Sequence, residues 1–305
     1  MAVIQVQNLT KDYGGGRGVF DVSFEIGAGE VFGFLGPNGA GKTTTIRHIL
    51  GFSKPDKGKA YISGTPVWGN AHLTNRDIGY IPGEINFPEK LKGMDLIKWL
   101  AEFSGAKNLD KAKELLEILQ LKNAEGDVKR MSKGMKQKLG IICAFAHDPK
   151  ILILDEPSSG LDPLMQDTFT ELLKREKAAG KTILLSSHIF SEIEKTCERV
   201  SIIKQGEIVT SFHMDDIKRP RYKTFKVKFA KPGESFRIAG EKLAFEEVNH
   251  AKNRVKIKVF DKDIRALLNL LSGYEIEYVS EIKLTLEDHF MKFYSDKPSH
   301  NGGAA

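Results

Sequence analysis

Residues 36–43 read Gly-Pro-Asn-Gly-Ala-Gly-Lys-Thr, and they follow directly on a short apolar run, Val31–Leu35. The residues after Gly41 have helical composition through Leu50. A strand, a glycine-rich loop and a helix in that order constrain the fold more than anything else in the chain. Glycines let such a loop wrap until its backbone N–H groups converge on one point, and the amino terminus of the following helix adds a dipole that favours an anion there. Gly36, Asn38, Gly39, Ala40, Gly41, Lys42, Thr43 and Thr44 are therefore expected to cradle the phosphates of ATP. Lys42 is expected to reach the β- and γ-phosphates, and the Thr43 hydroxyl to ligate Mg2+.

The rest of the chain supplies the matching architecture. Residues 3–6 and 20–26 read as strands bounded by glycine turns such as Gly14-Gly15-Gly16. A mostly helical region follows from about residue 94 to 145, with Leu96, Leu100 and Phe103, then Leu115, Leu116, Leu119 and Leu121, at helical spacing. Residues 151–154 and 182–185 are bare apolar runs of strand length, separated by a helical stretch over 163–179. Buried strands that alternate with helices imply a parallel sheet covered on both faces.

At 305 residues the chain is long enough for one large domain and a smaller second one. The composition changes near Lys218-Arg219-Pro220. Beyond it, 225–229 and 255–259 alternate with period two, and a helix-like 264–271, a strand-like 274–279 and an amphipathic 286–294 follow. The expected organisation is a large α/β domain over 1–217, a small basic α+β domain over 218–297 and a disordered tail over 298–305. Residues 218–305 carry 18 Lys+Arg against 12 Asp+Glu, which is the whole of the net +6. Such a patch could face nucleic acid, anionic lipid or an acidic partner, or be a solvated strand face.

Several classes are disfavoured. No stretch approaches the ~18 apolar residues of a membrane-spanning helix. The amino terminus shows no basic head or apolar segment that would mark it for secretion, so cytoplasmic residence is expected. Cys143 and Cys197 stand in no metal-ligand spacing and are expected to be inert packing residues, and the eight histidines show no paired-ligand spacing.

Residues 151–157, Ile-Leu-Ile-Leu-Asp-Glu-Pro, are an apolar strand that closes on two acids. A carboxylate at the carboxyl end of a central strand lies beside the phosphate loop, because ligands of open α/β sheets sit there. Asp155 is expected to hold Mg2+, and Glu156 to orient or deprotonate an attacking water.

Further segments, in order, resemble the ATP-binding cassette (ABC) proteins. Ser132-Lys133-Gly134-Met135-Lys136-Gln137 is similar to their signature segment. Ser159-Gly160-Leu161-Asp162 is similar to their D-loop, and His188 falls at their switch histidine. Tyr13 occupies the place of the aromatic that stacks on adenine. The resemblance covers roughly residues 2–215. It implies that Ser132 and Gly134 present donors to the γ-phosphate of ATP held by a second copy, that Asp162 links the two sites, and that His188 holds the γ-phosphate and the water.

Two positions depart from the family pattern. Lys133 replaces the common glycine, as in relatives ending in Gly-Met-Lys-Gln. After residues 78–82, where glutamine is usual, Gly83 and Glu84 follow, and Glu84 is the candidate to replace that glutamine at the Mg2+.

The implied fold is a P-loop NTPase of ABC type, α/β with antiparallel β and helical subdomains, the latter at about 84–145, plus the small α+β domain. The implied activity is ATP hydrolysis that powers a separate polytopic membrane permease. The chain is expected to pair with a second nucleotide-binding subunit, as a homodimer, at the cytoplasmic face of the membrane. Residues 285–294 resemble the carboxyl-terminal extension of bacterial exporters of the drug, antibiotic-resistance and polysaccharide type, which leans the reading to export. The alternative is a soluble ABC ATPase acting on ribosomes or nucleic acid. Against it, Lys42 and Ser132 are only 90 positions apart and no sustained heptad is visible, so no nucleic-acid partner is expected. A guanine-specific NKxD segment is absent, which disfavours a GTPase.

Overall fold

The computed structural model describes residues 2–88, 90–106, 108–283 and 285–295; the expected tail at 298–305 lies outside them. The chain divides into two compact units, Met1–Met214 and Asp215–Ala305.

In the first unit a six-stranded sheet runs in the order Glu207–His213, Arg199–Lys204, Val31–Leu35, Thr182–Ser187, Ile151–Asp155, Ile78–Ile81. All neighbours are parallel except the first pair. Val31–Leu35, Ile151–Asp155 and Thr182–Ser187 are buried at every position. This is why their sequences are apolar runs without alternation, as strands covered on both faces must be. Their carboxyl ends bring Gly36, Asp155 and the residues leading to His188 to one edge of the sheet.

A second, antiparallel sheet orders Gly18–Gly27, Ala2–Asp12, Lys57–Ile62 and Thr65–Pro66. Phe24 joins the two layers by stacking on Phe32, with ring centroids 5.1 Å apart. The first strand reaches Asp12, well past the expected end at residue 6. Register shifts between Val6 and Leu9 and between Leu9 and Lys11 break its two-residue alternation, and the ladder resumes beyond them.

The helical region holds Gly93–Phe103, Asp110–Ile118 and Lys133–Phe145. An ion-pair network fixes the middle helix to Pro163–Ala178. Glu176, 1% exposed, receives Lys111 Nζ at 2.7 Å and Lys181 Nζ at 2.5 Å, while Lys181 also meets Asp148 at 2.5 Å. Burial alone would push the Glu176 carboxyl up, but the hydrogen bond from Lys111 and the close ion pair with Lys181 outweigh it and hold its pKa below the ordinary value.

The second unit is β-α-β-β-α-β: Tyr222–Phe229, Glu234–Ala239, Ala244–Asn249, Arg254–Phe260, Ile264–Leu271 and Ile276–Ile282. Its antiparallel sheet places the third strand beside the first at the centre, in the ferredoxin-like pattern. Val227, Phe229, Val255, Ile257 and Val259 pack with Ile238, Leu267, Leu271 and Tyr274. The lysines that alternate with them stay partly exposed and pair locally: Lys256 Nζ meets Glu247 at 2.7 Å and Lys228 Nζ meets Glu277 at 2.7 Å. The strand expected at 274–279 starts two residues later, because Tyr274 turns inward at the end of the preceding helix and packs on Phe229. A helix, Leu286–Ser295, closes the described chain.

Candidate nucleotide-hydrolysis site

The loop of residues 36–41 has the backbone that its glycines allow. Gly41 sits at φ +111, and a Cβ at Gly36 would come within 2.6 Å of the Ile203 carbonyl oxygen. Neither position admits another residue without displacement of the loop. Helix Lys42–Ile49 begins there, and its first side chain folds back over the loop. Lys42 Nζ donates to Gly36 O at 2.6 Å and to Pro37 O at 3.1 Å, with the residue 5% exposed.

The acid pair meets this loop from the end of Ile151–Asp155. Asp155 is fully buried, and its two oxygens are separately engaged. Thr43 Oγ1 donates to Oδ2 at 2.6 Å and Ser186 Oγ to Oδ1 at 2.5 Å. Glu156 adopts φ +50, a left-handed conformation that costs a non-glycine residue roughly 1–3 kcal/mol. Its N–H donates to the Ser186 carbonyl at 3.1 Å, which pins the turn. The carboxylate is then held from two sides. Oε1 lies 3.0 Å from Lys42 Nζ, an ion pair without hydrogen-bond alignment, and Oε2 lies 2.5 Å from His188 Nδ1.

Thus the structure brings together Gly36, Lys42, Thr43, Asp155, Glu156 and His188, which are 152 residues apart at the extremes of sequence. Oxygen donors alone converge at Thr43 and Asp155, the set a hard divalent cation such as Mg2+ takes. The basic Lys42 beside a glycine-rich loop at a helix amino terminus suits phosphate.

Ser132, Gly134 and Asp162 form a second group at the heads of two helices. Ser132 Oγ accepts from Met135 N at 3.2 Å and so caps Lys133–Phe145. Asp162 accepts from Met165 N at 3.0 Å and caps Pro163–Ala178, whose first residue is proline. The two heads touch, since a Cβ at Gly134 would lie 3.0 Å from Gly160 O. Ser132 and Asp162 are both exposed.

Tyr13 is 51% exposed on the loop that Gly14, Gly15 and Gly16 form, all three at positive φ. Glu84 is exposed, and it is the preceding residue that abuts the acid. A Cβ at Gly83 would lie 3.1 Å from Asp155 Oδ2. On the neighbouring strand, burial and then the Asp155 charge push the Tyr80 hydroxyl up to about 12, so it stays protonated.

Sequence reasoning missed three supports. Ser186 bonds Asp155 and Ser187 bonds Glu192, and the Ser-Ser pair before His188 was the available signal. Gln137 Nε2 donates to Pro157 O at 2.6 Å, tying the signature helix to the turn after the acids, and no local pattern marks that contact.

A parallel sheet, a glycine loop at a helix head, and paired carboxylates at the end of a strand one removed from the loop's own define a P-loop NTPase. The model of the ABC transporter family matches residues 19–159. The chain is 33% identical over 295 residues to an uncharacterised ABC transporter ATP-binding protein of Bacillus subtilis, YhcH, covering 95% of each. An uncharacterised ABC transporter ATP-binding protein of Methanocaldococcus jannaschii is 35% identical over 292 residues, 94% of this chain and 98% of the relative. The Nod factor export ATP-binding protein I of Sinorhizobium fredii is 37% identical over 207 residues, 67% of this chain and 60% of the relative.

Among solved structures, an ATP-binding subunit of an ABC transporter superposes at TM-score 0.65 with 33% identity, over 71% of this chain and 92% of that one. A dimeric ATP-binding cassette in a post-hydrolysis state with ADP and phosphate superposes at 0.63 with 25% identity, over 69% and 98%. The chain belongs to the ABC transporter ATP-binding proteins. It is an ATPase and the ATP-binding subunit of an ABC transporter, a class that works with a membrane permease and forms dimers. Among its described residues no helix is long and apolar enough to cross a membrane.

Proposed function

We propose that the chain hydrolyses Mg-ATP to drive a separate polytopic permease in export, of a drug, antibiotic, peptide or polysaccharide/lipid cargo. It would act at the cytoplasmic face of the membrane. The observation that carries the catalytic part is Glu156 held between Lys42 Nζ and His188 Nδ1, beside an Asp155 already bonded to Thr43. The lean to export is supported by the Nod factor export relative.

In this reading the loop residues Gly36, Asn38, Gly39, Ala40 and Gly41, with Lys42 and Thr44, bind the phosphates, and Tyr13 offers its ring to adenine, worth on the order of 1 kcal/mol. Thr43 and Asp155 would hold the Mg2+, which would supply neutralising charge to the phosphates when bound. Glu156 takes the proton of the attacking water, and His188 holds that water and the γ-phosphate. Ser132 and Asp162, exposed at helix heads, and the half-buried Gly134 serve the ATP of a second copy, so two chains close to hydrolyse and reopen afterwards. Gly83 leaves no side chain at Asp155 where the family has glutamine. The exposed Glu84 would have to swing in to take over that contact.

Affinity purification from detergent-solubilised membranes of the source cell, with Glu156→Gln and ATP to trap the closed dimer, tests the reading. A polytopic membrane protein enriched by the trapped variant is expected. Ribosomes or DNA without a membrane partner would overturn it in favour of a soluble ABC ATPase.

A further inference from the structure

Behind the His188 turn lies a carboxyl that the mechanism above does not use. Glu192, on helix Phe190–Thr196, is 6% exposed. Its Oε2 accepts from Ser187 Oγ at 2.5 Å, and Ser187 Oγ in turn accepts from the Ile189 backbone N–H at 3.0 Å. The two residues that flank His188 are thereby clamped to one buried group. Glu192 Oε1 is buried with no hydrogen-bond partner. The residue lines a polar cavity of about 30 Å3, room for one water, together with Ser158, Gln166, Asp167, Thr170 and Lys195.

The burial is expensive unless it does something. Burial pushes the Glu192 carboxyl up, the Ser187 and Ser158 hydroxyls draw it down, and the neighbouring Glu156 charge pushes it up again. Ser158 belongs to the turn that follows Glu156, and Glu156 is 2.5 Å from His188. One carboxyl is therefore bonded at the base of the turn that carries the histidine and shares a small cavity with Ser158 of the turn that carries the acid. A rigid support of this kind is what holds catalytic groups to within a fraction of an ångström.

We propose that Glu192 is a positioning residue which, through Ser187, sets the His188 ring against Glu156 for the hydrolytic step. This rests on the reading of Glu156 and His188 as hydrolytic groups. Removing the clamp lets the His188 turn relax while the phosphate loop, on another strand, stays as it is. The loss then falls on turnover and not on ATP binding.

The test is steady-state ATP turnover and fluorescent-ATP binding by the full chain carrying Glu192→Ala, Glu192→Gln, Ser187→Ala or both alanines, with Glu156→Gln as reference. The Gln variant keeps an oxygen that accepts from Ser187. The expected pattern is a kcat loss of about ten-fold or more in Glu192→Ala with KM within about two-fold, and recovery to within about three-fold of wild type in Glu192→Gln. Ser187→Ala should lose a similar factor, and the double variant no more than either single one, because both break one clamp. Wild-type kcat in Ser187→Ala or Glu192→Ala, or additive losses in the double variant, overturns the proposal. Equal loss of binding and turnover in Glu192→Ala, unrescued by Gln, overturns it as well. If Glu156→Gln itself hydrolyses normally, it is the underlying catalytic reading that fails.

Discussion

Replacing Glu176 by glutamine should detach the helical region from the core more than it disturbs the site. The carboxylate is 1% exposed, accepts from Lys111 at 2.7 Å from helix Asp110–Ile118, and forms an ion pair with Lys181 at 2.5 Å. Removing one partner of a buried pair costs about 3–5 kcal/mol. Lys181 keeps Asp148, and Lys111, at 23% exposure, can turn to water, so the cost falls somewhat below that range, about 2–3 kcal/mol. For a unit of this size that lowers Tm by roughly 5–10 °C. The sign of the pH dependence follows from the depressed pKa. The unfolded carboxyl titrates near its ordinary value of 4.5 and the folded one below it, so the contribution is full above that value. It fades as pH falls through the folded pKa. Urea denaturation of wild type and Glu176→Gln at neutral pH and near pH 3.5 measures both effects. A neutral-pH gap under about 0.5 kcal/mol, or one that does not narrow in acid, would refute the reasoning.

Two further outcomes can be checked with the same material. Lys42→Ala removes the cation that meets both the loop carbonyls and Glu156, so ATP binding and turnover should both fall, turnover by about 10²-fold or more, read by fluorescent-ATP titration and phosphate release. Gly58→Ala places a Cβ 2.3 Å from the Gln7 and Asn8 carbonyl oxygens at φ +77, and thermal denaturation should show a loss of roughly 2–4 kcal/mol.

What could be read in the sequence was what is local. The phosphate loop and the acid pair each fit within eight residues, and the buried strands betray themselves as unalternating apolar runs. The first strand was cut short at residue 6 because its bulges reset the alternation from which strands are read. Glu234–Ala239 and Ala244–Asn249 are too short, with too few buried positions, to stand out. Gln137 and Glu192 make contacts, to Pro157 O and Ser187 Oγ, that no local pattern marks, and for Ser186 the only hint was the Ser-Ser pair before His188. The choice between Gly83 and Glu84 at Asp155 is a matter of which way one residue faces, and that is set by the chain's exit from strand Ile78–Ile81.

The central claim is that Glu156 activates the water. ATP turnover by Glu156→Gln, measured beside its ATP affinity, tests it most directly. The account predicts a fall in turnover of ~10²–10⁴-fold, the usual range for a general base. Affinity should be kept or improved, because the neutral amide no longer pairs with Lys42 across 3.0 Å. Turnover near that of the wild type would contradict it.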